Sequence, residues 1–175
     1  MFIQEYSSQW PADFQRIKTI LADALTGISI TIEHVGGTAV PGLAAKPIID
    51  IDIVLTDRKD FETIKERLAQ IGYYHNGDQG IADRDVFKRT GELTLHNVLD
   101  RIAHHLYVCS IDSEELKRHL LFRDYLSTHA AARNEYQQLK QQLAEEANND
   151  RKRYAQLKEE KAKAFIESIL AKANE

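Results

Sequence analysis

Hydrophobic and polar positions along the chain follow two periods. Over residues 48–55 they alternate, which sends Ile49, Ile51, Ile53 and Leu55 to one face of a strand and Ile48, Asp50, Asp52 and Val54 to the other. Residues 28–35 form a second strand-like run upstream. The apolar linker between the two is punctuated by Pro41, Gly42 and Pro47. Helical spacing appears at Phe14, Ile17, Ile20 or Leu21, and Leu25, so residues 10–25 read as a helix opened by Trp10-Pro11 and stopped by Gly27. Phe61, Ile64, Leu68 and Ile71 predict a second helix over 59–71, capped by Asp57 or Asp60 and ended by Gly72. Extended structure then restarts at Tyr73-Tyr74, a glycine- and aspartate-rich loop covers 76–84, and strands are expected over 85–89 and 102–109, with residues 92–99 extended between them.

From Asp112 onward the period is helical. Ser113 or Asp112 caps a helix whose stripe is Leu116, Leu120, Leu121, Tyr125 and Leu126. A further helix is expected over 130–147, broken by Asn148-Asn149-Asp150, and a long charged one over 151–171. The fold class is therefore α/β (α+β): a small mixed, twisted sheet with an N-terminal helix and a C-terminal helical bundle. Residues 1–111 make the α/β part, and residues 112–175 are expected to pack on it as one unit.

Two aspartates on a strand that otherwise reads as buried are out of place. Their Cα atoms lie about 6.6 Å apart along a strand, and carboxylates about 5 Å apart repel by roughly 3 kcal/mol. A divalent hard cation would offset this, since Mg²⁺ takes one or two carboxylates plus substrate phosphates. An edge strand blunted by charge is the plainer alternative. Upstream, Gly36 and Gly37 let an anion approach the backbone amides, and Thr38 adds a hydroxyl. A phosphate cradle followed by paired carboxylates is the arrangement that nucleotidyl transfer from a triphosphate needs. Lys46, at the entrance to the aspartate strand, could reach a phosphate or remain solvated. His34 could face the cleft or the core. His105 shares a strand face with Tyr107, whereas His104 faces away with Leu106 and Val108. Arg123 could meet a phosphate, a site carboxylate or a structural partner; its neighbour Asp124 is badly placed to pair with it on a helix. Tyr6, Trp10 and Phe14 read as core packing, with base stacking as the alternative.

A net charge of −4 does not favour nucleic-acid backbones, so a small molecule is the expected acceptor. The single cysteine, Cys109, excludes an internal disulfide and reads as a small buried hydrophobe. No secretory pattern and no long apolar run is present, so a cytoplasmic protein off the membrane is expected.

The string HVGGTAVPGLAAKPIIDI, residues 34–51, resembles the GrpB family of the nucleotidyltransferase superfamily. So do Tyr6, Trp10-Pro11 and Phe14, the run Phe122-Arg123-Asp124-Tyr125-Leu126, and Glu135-Tyr136 with Leu139-Lys140. The resemblance implies a nucleotidyltransferase-type sheet. It also implies a nucleoside triphosphate held with Mg²⁺ by Gly36, Gly37, Thr38, Asp50 and Asp52, with Lys46, His105 or Arg123 assisting. Tyr154, Lys158 and Lys161 resemble a tail that reaches a nucleotide. A third carboxylate from a later strand is common in the superfamily; Asp83, Asp85 and Glu92 are the candidates. Tyr107 stands where the family often has a second histidine. Some relatives resemble a domain fused to dephospho-CoA kinase. A non-catalytic nucleotide- or coenzyme-A-related binding or regulatory module is the rival expectation, and an interaction protein working through its charged helical tail is a third.

Overall fold

The computed structural model describes residues 3–91, 96–148 and 150–173. Five strands form one sheet: β1 (Ile30–Val35), β2 (Ile49–Leu55), β3 (Tyr73–His75), β4 (Arg84–Arg89) and β5 (His104–Ser110). Their order is β1-β2-β5-β4-β3, with β2 and β5 parallel and the other neighbours antiparallel. The sheet is mixed, as expected. Residues 28 and 29 precede β1, and residues 97–100 form a turn instead of extended structure. The rest of the expected extended segment, including Glu92, lies outside the described residues.

The apolar face of β2 forms the first core. Ile49, Ile51 and Ile53 pack with Trp10, Phe14, Ile17 and Leu21 of α1 (Gln9–Ala24) and with Ile64 and Leu68 of α2 (Phe61–Gln70). Tyr6 meets Trp10 edge-on, so this aromatic group is packing. A second core lies beside the sheet. Val40, Leu43 and Ala44 of the linker pack with residues of α3 (Glu114–Thr128), α4 (Ala130–Glu146), α5 (Arg151–Leu157) and α6 (Lys163–Ala173), among them Leu126, Tyr136, Leu143, Leu157 and Ile169. The helical region therefore grips the linker that follows the glycine pair. Gln137 accepts from the Ala44 amide at 2.9 Å and fixes that grip.

The expected helix over 151–171 is interrupted. Lys158–Ala162 forms a π-helical turn between α5 and α6, a feature often found at functional sites. No helix among the described residues is long and apolar enough to cross a membrane.

Candidate functional site

The polar face of β2 looks away from the first core. Parallel register sets Asp50 beside His105 and Asp52 beside Tyr107 on β5, and antiparallel register sets Glu33 of β1 beside Asp52. Paired residues share a face, so five functional side chains project together. His105 Nδ1 lies 2.9 Å from Asp50 Oδ1. Asp52 is completely buried under α3. There His119 Nδ1 donates to Asp52 Oδ2 at 2.7 Å, while His119 Nε2 reaches Glu115 Oε1 at 3.3 Å. Burial opposes charge on this ring, but its bonds to Asp52 and Glu115 prevail and raise its pKa to about 9. Asp52 Oδ1 is buried without a hydrogen-bond partner.

The glycine pair folds directly over this face. Gly36 has φ +74°, and a Cβ there would collide with the Asp50 carboxylate. The missing side chain thus lets the turn close on the acid. Gly37 is less confined, since a Cβ would sit 3.1 Å from Ala45 Cβ and 3.3 Å from Lys140 Nζ. Thr38 is turned inward: its hydroxyl donates to the Ile48 carbonyl and meets His34 Nε2 at 3.0 Å. An anion at this bend would accordingly meet amides and Lys140, with the threonine hydroxyl held in the interior.

Lys140 is buried behind the turn, donating to the Ala44 carbonyl at 2.5 Å. Burial, reinforced by the charge of Lys158, lowers its pKa to about 7. Lys46 lies over the Tyr154 ring, 4.7 Å from its centre, and burial followed by Lys158 lowers its pKa too. Lys158 thus disfavours charge on both Lys46 and Lys140, and Lys140 Nζ stands beside Gly37 at the bend. A stability signature follows. The unfolded chain keeps the Lys140 proton up to about 10.5 and the folded chain only to about 7. The unfolded state therefore binds more protons in this window, and Lys140 makes stability rise with pH across it. Lys140→Met is expected to remove that rise, read as the denaturation midpoint at several pH values between these limits.

Several expected site residues are engaged elsewhere. Arg123 donates to Glu33 at 2.8 Å, to the His34 carbonyl at 3.0 Å and to its neighbour Asp124 at 2.7 Å. It braces α3 against β1, and the long side chain folds back to make the Asp124 pair that helical spacing argued against. Lys161 is held by Glu146 at 2.7 Å, tying the π turn to α4. Tyr154 is buried in the second core, with its ring covered by Lys46, and has no open face for a base. His34 lies on the core side, stacked on Phe14 at 4.7 Å, and burial lowers its pKa to about 4.

Among the described residues no third carboxylate from the expected set joins Asp50 and Asp52; Glu92 lies outside them. Asp85 alternates onto the opposite face, where Arg58 and His75 each bond it at 2.8 Å. Asp83 precedes β4 near Ser110, about 10 Å along β5 from Tyr107. Sequence reasoning missed His119 and Lys140. Glu115, His119 and Arg123 repeat every four residues beside the Leu116–Leu120 stripe, and Lys140 falls within the buried stripe Tyr136, Leu143, Ala144. A polar ridge flanking an apolar one, and a lysine inside one, were the available signals.

Among the described residues no group of three or more His, Cys, Asp or Glu converges on a common metal position. The two carboxylates fit a cation that completes its shell with substrate oxygens, and the unpartnered Asp52 Oδ1 is the atom that such a cation would satisfy.

With this geometry in hand, similarity to known proteins is informative. The family model described as GrpB protein matches residues 1–172. UPF0157 protein YqkA of Bacillus subtilis strain 168 is 33% identical over 163 residues; the match covers 93% of this chain but only 45% of that protein. Glutamate-rich protein GrpB of Alkalihalophilus pseudofirmus is 34% identical, and the match covers 94% of this chain and 91% of that one. The crystal structure of conserved protein GrpB from Enterococcus faecalis superposes with a TM-score of 0.80 at 29% identity and covers 99% of both chains. The Cid1 poly(U) polymerase, solved with MgGTP bound, superposes with a TM-score of 0.56 at 19% identity over 82% of this chain and 44% of that one, a likeness of fold. A mixed sheet of nucleotidyltransferase type, a glycine bend closed over paired aspartates and a match along almost its whole length place this chain in the GrpB family.

Proposed function

We propose that the chain binds a nucleoside triphosphate with Mg²⁺ and transfers its nucleotidyl group to a small-molecule acceptor. The observation that carries this reading is the packing of the Gly36 bend on the Asp50 carboxylate. It sets the glycine turn against the Asp50 carboxylate with Lys140 Nζ beside Gly37, and Lys158 acts electrostatically on Asp50, Lys46 and Lys140. The bend and the lysines receive the β- and γ-phosphates. Asp50 and Asp52 would hold the cation, which when bound neutralises phosphate charge and polarises the reacting phosphoryl group. Asp50 fixes the His105 ring through Nδ1, leaving Nε2 to accept the proton of the acceptor hydroxyl. The acceptor oxygen bonds to the α-phosphorus, and pyrophosphate leaves.

A second reading, a nucleotide-binding module without turnover, draws support from β5. It offers His105 and Tyr107 beside the aspartates where a third acid would complete a metal cage. Calorimetric titration with Mg·ATP and the other nucleoside triphosphates tests both readings. Binding is expected for at least one. Asp50→Asn is expected to abolish its metal dependence, and Lys140→Met to weaken it about 10- to 100-fold, the loss of one charge-assisted hydrogen bond. Absence of binding to any triphosphate overturns both readings. Binding without pyrophosphate release across an acceptor panel selects the second.

A further inference from the structure

The ladder between β4 and β5 runs from Arg84↔Cys109 to Phe87↔Leu106 and then opens, although β4 continues to Arg89 and β5 begins at His104. A cleft of about 370 Å³ occupies this fork, within the size range of small-molecule sites. Its lining includes Gln79, Arg84, Val86, Lys88, His105 and Tyr107, and among the described residues it contains no Asp or Glu. Arg84, Val86 and Lys88 lie on the same sheet face as His105 and Tyr107. Arg84 stacks its guanidinium 4.8 Å above the Tyr107 ring, and its Nε is buried without a hydrogen-bond partner. Neither Arg84 nor Lys88 forms an ion pair among the described residues. Buried donors left unsatisfied are costly, and a guanidinium suits an oxyanion in particular. Tyr107 supplies a further donor at neutral pH, because burial and the nearby Asp50 charge push its phenol up to about 12.

We propose that this fork is an anion subsite, in which Arg84 and Lys88 hold a phosphate or carboxylate group of the acceptor molecule. The assignment to an acceptor rests on the nucleotidyl-transfer reading; the binding of an anion does not. The subsite adjoins His105 on the flank away from β2. Two strand spacings, about 10 Å, separate the β4 row from Asp50, so a small acceptor held by its anionic end can bring a hydroxyl to His105.

The test is a titration of the full chain with inorganic phosphate and, separately, acetate, followed by NMR of the arginine Nε–Hε and histidine side-chain signals. Phosphate, acetate or both are expected to move the Arg84 signal, and the stronger of the two identifies the acceptor's anionic group. Lys88→Gln, an exposed change, is expected to weaken that shift about tenfold and to leave Mg·ATP affinity intact. An Arg84 signal unmoved by either anion, or one moved only while Lys140 is present, overturns the subsite. If Mg·ATP fails to bind while phosphate still moves Arg84, the anion subsite stands and the nucleotidyl-transfer reading falls. If Mg·ATP binds while Arg84 stays still, the reverse holds.

Discussion

Replacing His119 with leucine is expected to cost about 3–5 kcal/mol, the usual loss when one partner of a buried charge pair is removed. Asp52 has no exposed surface, and one of its oxygens already lacks a partner. Without His119 the second oxygen loses its donor at 2.7 Å, and an uncompensated carboxylate remains under α3. That loss is a large share of the 5–15 kcal/mol typical of a folded domain. The double variant Asp52→Leu/His119→Leu is expected to recover most of it, since an apolar pair of similar volume replaces a buried ion pair at little cost. On the proposed reading, in which Asp52 holds the cation, Mg²⁺ is expected to raise the denaturation midpoint of His119→Leu more than that of the wild type, because cation and imidazolium would neutralise the same carboxylate. A loss below about 1 kcal/mol would mean that Asp52 does not depend on this histidine.

Gly36→Ala has the second largest expected effect. With φ +74° and ψ −168°, Gly36 occupies a region that is essentially restricted to glycine, and an alanine there costs roughly 1–3 kcal/mol in backbone strain. The new Cβ also collides with the Asp50 carboxylate, which must move off His105. Nucleotide binding is therefore expected to be lost together with stability. Adding Asp50→Ala should relieve the collision but leave the backbone cost, so the two changes will be less than additive in a denaturation cycle. Gly37→Ala provides the contrast. Its φ is ordinary, and its Cβ would press on Ala45 Cβ at 3.1 Å and on the far end of Lys140 at 3.3 Å, so triphosphate affinity should fall with a smaller loss of stability than in Gly36→Ala. Equal loss of stability in the two alanine variants would argue that Gly36 is not specially strained.

The alternation of residues 48–55 was enough to place three isoleucines in the core and both aspartates on the other face. Period-two geometry leaves no other outcome once one face is buried. The helix stripes of α1 and α2 were legible for the same reason, and the glycine pair marked a bend because only glycine tolerates such a φ. The sequence could not say which strand lies beside β2. Asp85 and His105 were both plausible companions of the aspartates, and strand order with register decided between them: the parallel pairing with β5 brought His105 to Asp50, whereas Asp85 alternated to the opposite face. Local pattern marked Lys140 and His119 only as polar positions within or beside apolar stripes and could not say what they meet. Each reaches the site from a helix far along the chain, across contacts spanning 96 and 67 residues. Local sequence thus determined the elements, their faces and the bend. Tertiary packing alone decided which charges meet, because pairing between distant side chains depends on how helices dock on the sheet, and no short-range period encodes that.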